Sequence, residues 1–245
     1  MLYFVSLEPN KLIYMMKCVY CGKELTPGMY RKDIYGNVAH VGCSHLCFCC
    51  NRLVTSKDVK LPDNRWWCAD CQQKAVVTNQ HIEWVHTRVR KMLAVHGIDD
   101  KKWPKSLTIN IVHPKFVPGR EPTTAHKFGD TQYSRSLFSK SYNVRMLDHL
   151  HRIVFAGVLA HELLHVWQFE QGISLSRQEL TEGFCNLGSW VVYEQMNTPL
   201  SKGMMLRVEN DPTPIYGPGF RLVKAVYDNL GNGSLPDVMK ELKKM

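Results

Sequence analysis

The chain has 245 residues, 44% of them hydrophobic and 22% charged, which is room for one ordinary domain and one small module. No apolar run reaches the roughly 20 residues a membrane span needs, so a soluble protein with no membrane partner is expected. The formal charge of +9 is scattered, with 10 Lys/Arg against 6 Asp/Glu in residues 1–77 and 21 against 16 beyond, which argues against a phosphate-binding face and against nucleic acid as a partner.

Residues 1–16 are mildly apolar, but Glu8 interrupts them and no small-residue cleavage site follows, so no secretory signal is expected. Eight of the nine cysteines then fall between Cys18 and Cys71 in short paired spacings. Such pairing indicates metal binding in a reducing compartment rather than disulfides, and a cytoplasmic location follows as an expectation. The order is Cys18-x2-Cys21, His40-x2-Cys43, Cys47-x2-Cys50 and Cys68-x2-Cys71. A two-residue gap lets both ligands of a pair reach one ion, and thiolates with a neutral imidazole suit closed four-coordinate zinc. Two structural zinc sites are therefore expected, one from Cys18, Cys21, His40 and Cys43 and one from Cys47, Cys50, Cys68 and Cys71. With Trp66-Trp67-Cys68 before the last pair, residues 16–74 resemble a LIM domain, a small treble-clef or zinc-ribbon module. The resemblance implies docking of other proteins. One departure is that Ser44-His45-Leu46 makes the central spacer one residue longer than usual, which leaves His45 or Cys49 as substitute ligands.

A second domain is expected over residues 76–245. Trp84, Val85, Val89, Met92 and Leu93 recur at three- and four-residue steps and Gly97 closes the run, so a helix opens it. Leu107, Ile109 and Ile111 alternate with Thr108, Asn110 and Val112 before Pro114, the pattern of a strand, and a second strand fits residues 142–147. Residues 114–141 hold Pro118-Gly119, Glu121-Pro122 and many Ser/Thr, an irregular stretch of the kind that borders a cleft. Residues 148–171 form a long helix, apolar on most sides and stopped by Gly172. Ser176 and Glu179 have the spacing of a capping box for a helix running to about Met196, with Pro199 as its stop. Helices over 219–230 and 236–243 close the chain.

The chemistry concentrates in His161-Glu162-Leu163-Leu164-His165. Residues four apart share a helix face, so His161 and His165 can hold one metal with Glu162 beside it. A zinc ion with three protein ligands keeps a position for water, lowers that water's pKa toward about 7 and polarises a carbonyl, and Glu162 can act as general base. Two histidines and a carboxylate in so apolar a helix need such a reason. The third ligand is expected from the following helix, at Glu182, with Glu179 one turn earlier as its competitor. Gly183 beside Glu182 lets helices approach closely, and Asn186 is placed to hydrogen-bond a ligand.

Thr181-Glu182-Gly183-Phe184 resembles the segment in which gluzincin peptidases carry their glutamate ligand. A LIM-like module followed by Leu-Ala-His-Glu-Leu-Leu-His-Val-Trp and Thr-Glu-Gly-Phe-Cys resembles the plant LIM-domain peptidases that limit organ growth, and similar bacterial chains. That resemblance implies an α+β protein whose second part is a mainly helical zincin-type domain with a small β-sheet. It also implies one catalytic zinc besides the two structural ones, and an intracellular endopeptidase acting on protein substrates. Ubiquitin activation is not expected to carry over, since residues 1–17 as given hold no acidic ubiquitin-interacting helix. The segment 215–221, Ile-Tyr-Gly-Pro-Gly-Phe-Arg, also looks like a family motif, and its Tyr216 is a candidate donor to the reaction's oxyanion. His126, His149 and His151 are further candidate donors, and Cys185 reads as a buried small residue. The rival reading is a LIM-type adaptor whose peptidase-like half keeps its metal but is catalytically silent.

Overall fold

The computed structural model describes residues 16–26, 28–99, 101–113, 128–136, 139–231 and 233–245. These fall into two units, residues 16–74 and residues 75–113 with 128–245.

The first unit is three short antiparallel pairs, a 3-10 turn (Val41–Cys43) and one short α-helix. Strand β1 (Tyr30–Lys32) pairs with β2 (Val38–His40), β3 (His45–Leu46) with β4 (Leu53–Val54), and β5 (Val59–Lys60) with β6 (Trp66–Trp67), followed by α1 (Ala69–Gln73). The β1–β2 turn closes on Asp33, whose buried carboxylate accepts the backbone N–H of Tyr35 and of Asn37 at 2.9 Å each. One apolar cluster in this unit is Cys18, Ala39 and Leu53 with Leu25, Cys43 and Leu46 packed on it. A unit of about 60 residues buries little apolar surface in total, which is the situation in which metal sites supply the rest of the folding free energy.

The second unit opens with α2 (Asn79–Val95), capped by the Thr78 hydroxyl, which accepts the N–H of His81. Strands β7 (Leu107–Val112), β8 (Gly129–Arg135) and β9 (Lys140–Leu147) form one sheet in the order β7-β9-β8. Strand β7 lies parallel to β9, with Leu107 opposite Tyr142, and β8 lies antiparallel to it, with Thr131 opposite Val144. Tyr142, Val144 and Met146 on the central strand are buried in the alternation expected of a sheet with one covered face. Then come α3 (Arg152–Glu170), α4 (Gln178–Met196), α5 (Pro199–Glu209), α6 (Tyr216–Asn229) and α7 (Leu235–Leu242). The described residues thus form a mixed α+β protein with seven helices, and none of those helices is long and apolar enough to cross a membrane.

Helices α3 and α4 cross at small residues. A Cβ on Gly157 would stand 2.0 Å from Cζ of Tyr193, and one on Gly188 would stand 2.4 Å from Cδ1 of Leu164. The Ser189 hydroxyl donates to the Gly157 carbonyl at 2.7 Å across the crossing. This close approach sets the distance between the two histidines of α3 and the acidic residues of α4.

Four elements differ from the sequence expectation. Strand β8 lies inside the stretch expected to be irregular, because its partner β9 supplies the pairing that its polar sequence Gly-Asp-Thr-Gln-Tyr-Ser-Arg does not advertise. Helix α4 ends at Met196 as expected, but Pro199 also begins helix α5, which was not expected, since proline is tolerated at the first helical position. The Ser176–Glu179 capping box is not formed; Arg177 precedes α4 with no side-chain cap, and the capping box stands instead at Thr198 and Ser201. Helix α3 starts at Arg152, later than expected, with the His151 ring as its cap.

Candidate metal centres and active site

Three groups of metal-ligating side chains converge among the described residues, each with ligand atoms within 4.8 Å of one another. The first is Cys18, Cys21, His40 and Cys43. Here His40 Nδ1 lies 3.3 Å from Cys21 Sγ and 3.8 Å from Cys43 Sγ, while Nε2 lies 2.9 Å from the Glu24 carbonyl. A carbonyl only accepts, so Nε2 carries the proton and Nδ1 presents its lone pair to the sulfurs, the tautomer a metal ligand needs.

The second group is Cys47, Cys50, Cys68 and Cys71, all buried, with Cys50 and Cys68 sulfurs 3.6 Å apart. Hydrogen bonds from Cys50, Cys68 and Cys71 pull the Cys47 thiol far below its usual range, and Cys50 and Cys71 are pushed up in return, first of all by Cys47. One sulfur can ionise at the expense of its neighbours; four together require a divalent cation. The donor set therefore fits a thiophilic metal. His45 does not join either group and instead stacks on Trp66, ring centroids 4.2 Å apart. Cys49 is buried beside the second group and its thiol hydrogen-bonds with Cys71.

The third group, His161, His165 and Cys185, forms between α3 and α4, and Glu182 of α4 lies against its two histidines. His161 and His165, one turn apart on α3, bring their Nε2 atoms to 3.1 Å. Glu182 of α4 places Oε2 3.2 Å from His161 Nε2 and 3.6 Å from His165 Nε2. Ligand atoms placed tetrahedrally about zinc at 2.0–2.1 Å would be roughly 3.3 Å apart, so this triangle has the right size for one ion. His161 Nδ1 donates to Asn186 Oδ1 at 2.9 Å, which fixes the tautomer that leaves Nε2 free. Burial works to raise the Glu182 carboxyl, but hydrogen bonds and charge from His161 and His165 outweigh it and hold it well below the usual carboxylate range. Burial works to lower His161, and Glu182 overrides it and raises the ring. Glu179, the competitor, turns outward and pairs with Arg177 at 2.8 Å.

Cys185 Sγ also lies within 4.8 Å of ring nitrogens of both histidines. Burial pushes its thiol up, and Gln168 donates to the sulfur at 3.1 Å. Glu182 Oε2, 3.2 Å from His161 Nε2, and the Cys185 sulfur are both within reach of an ion held by the two histidines.

Glu162 is buried next to this triangle. Its Oε2 accepts a hydrogen bond from the Thr131 hydroxyl of β8 at 2.7 Å. Gly129, two residues earlier on the same strand face, has no side chain where a Cβ would meet Glu162 Oε1 at 3.1 Å. Neither residue was legible in the sequence, because both lie in the stretch read as irregular. Tyr216 is the first residue of α6, and its phenol pKa is raised by burial and then by the charges of Glu182, Glu162 and Asp211. His151 is buried as the α3 cap and His149 Nδ1 lies 2.8 Å from Asp148 Oδ2, so both are engaged elsewhere. His126 lies outside the described residues.

No family model matches the sequence, and no solved structure matches the chain. Among curated proteins, Protein DA1-related 7 of Arabidopsis thaliana is similar, 21% identical over an alignment of 299 positions that covers 92% of this chain and 52% of the plant protein. The chain thus spans about half the length of that relative, and the likeness together with the cysteine-rich clusters makes it a distant relative with metal-binding potential.

Proposed function

We propose that this protein is a zinc-dependent peptidase of gluzincin type, preceded by a LIM-like module, that hydrolyses peptide bonds within protein substrates. The observation that carries the reading is the convergence of His161 Nε2, His165 Nε2 and Glu182 Oε2 to within 3.6 Å, with the buried Glu162 carboxylate alongside. The two cysteine-rich groups are assigned to structural zinc and the histidine–glutamate group to a catalytic zinc. When bound there, zinc supplies Lewis acidity toward a carbonyl and acidifies water. Asn186 and the α3–α4 crossing hold the ligand side chains in orientation. Glu162 accepts a proton from the attacking water and delivers it to the departing amine. Tyr216 donates a hydrogen bond to the oxygen that becomes negative as the carbonyl is attacked. Among the described residues, strand β8 pairs with β9 on one side, and its other edge would offer backbone groups to an extended peptide beside Glu162. The likeness to a plant protein over nearly the whole chain agrees with the motif resemblance to the plant LIM-domain peptidases.

The test compares wild type with Glu162→Gln for zinc content and for cleavage of a mixed protein library. Expected are three zinc ions per chain in both proteins and cleavage by the wild type alone. Equal cleavage by the two would remove Glu162 from the mechanism, and cleavage by neither would favour the adaptor reading.

A further inference from the structure

We infer that strand β8 is the positioning element of the general base: Thr131 orients the Glu162 carboxylate and Gly129 clears the space it occupies. The inference rests on the peptidase reading and extends it to residues outside the metal-binding motif.

Helix α3 fixes the backbone of Glu162 but not its carboxylate, which sits at the end of three rotatable bonds. Fixing it takes a contact from another element. Thr131 Oγ1 lies 2.7 Å from Glu162 Oε2 and 3.2 Å from the Glu162 carbonyl oxygen. A hydroxyl donating to a carboxylate at that distance forms one of the stronger hydrogen bonds available to a neutral side chain. The other oxygen is bounded by the same strand: a Cβ on Gly129 would stand 3.1 Å from Oε1, 3.1 Å from Cγ of Glu162 and 2.8 Å from Cγ1 of Val158. An alanine there would push both neighbours. With Oε2 held by Thr131, Oε1 is left as the oxygen that takes up the proton. The strand itself is anchored, since Thr131 stands opposite the buried Val144 of β9. Thr131 touches no reacting atom in this arrangement, so it is a positioning residue.

The experiment measures kcat, KM and zinc content for Thr131→Val, Thr131→Ser and Gly129→Ala, and the unfolding midpoint of Thr131→Val made alone and in Glu162→Ala. Misplacing a catalytic group by about 1 Å costs on the order of 100-fold, so Thr131→Val should lower kcat by about 10- to 100-fold with KM within about twofold and zinc unchanged. Thr131→Ser, which keeps the hydroxyl, should recover most of the rate. Gly129→Ala should lose kcat while keeping its metal. The midpoint shift caused by Thr131→Val should shrink or vanish when Glu162 is already alanine, because coupled residues are non-additive. An unchanged kcat in Thr131→Val, a serine variant no better than valine, or equal midpoint shifts in the two backgrounds would overturn the assignment. Should the wild type cleave nothing, the peptidase reading fails, and the unfolding cycle still decides whether Thr131 and Glu162 are coupled.

Discussion

Substituting Gly183 by alanine puts the α4–α6 contact to a direct test. A Cβ on Gly183 would stand 2.4 Å from both the carbonyl carbon and oxygen of Gly219 and 2.9 Å from the Phe220 nitrogen. All three are backbone atoms, so no side chain can turn aside, and the helices must separate by about 1 Å to reach ordinary contact. Overpacking of this kind costs about 3 kcal/mol at the upper end of its usual range. Alanine in a helix interior recovers about 1 kcal/mol relative to glycine. The net loss is then about 2 kcal/mol, which in a domain of this size lowers Tm by roughly 4–8 °C. The control is Gly172→Ala, where φ is +61° and nothing lies within 4 Å of the added carbon. There only the cost of the left-handed backbone applies, about 1 kcal/mol. Thermal unfolding of the metal-loaded proteins followed by circular dichroism measures both. The same separation carries Tyr216, at the start of α6, away from Glu182, so Gly183→Ala should also lose turnover while Gly172→Ala keeps it. A Gly183→Ala protein that melts at or above wild type would refute the claim that the two helices touch through their glycines.

Three further outcomes are expected. Thr198→Ala removes the side-chain half of the capping box that opens α5, and denaturant unfolding should show a loss of about 1 kcal/mol. Under a chelator and a thiol reagent, Cys21, which is exposed, and Cys43, which is partly so, should be labelled before the four buried sulfurs of the second group, as read by peptide mapping. Burial, and then the Tyr142 hydrogen bond to Glu170, raise that phenol's pKa. Its stabilising contribution is complete below the ordinary tyrosine value of about 10 and is lost as pH rises toward the raised one. Wild type should therefore lose more stability than Tyr142→Phe between about pH 9 and 11, and equal losses would contradict the shift.

Features that depend on short spacing were legible in the sequence. The paired cysteines, the four-residue step from His161 to His165 and the small residue after Glu182 are local patterns, and the structure brings the named side chains together. The apolar periodicity of α2, α3 and α4 was equally readable. What escaped depends on partners far along the chain. Strand β8 carries only Tyr133 as a large apolar residue, and its existence follows from Val144 and its neighbours on β9. Thr131 gains its meaning from Glu162, thirty-one residues away. Helix α5 was missed for another reason: a proline both ends and begins helices, and only the Thr198–Ser201 pair decides which.

The burial of α3 and α4 bears on what remains when an ion held there leaves. Leu159, Leu163 and Leu164 on the first helix and Leu180, Phe184 and Leu187 on the second are wholly inaccessible to solvent. Segments packed this way open last, at free energies close to that of unfolding the whole unit. The ligands His161, His165 and Glu182 remain 13–15% exposed, so an ion held by them leaves toward that open side without such an opening, while the helices that place its donors stay packed. The three donors would thus stay in place for the next ion, and metal-free protein should regain zinc without refolding.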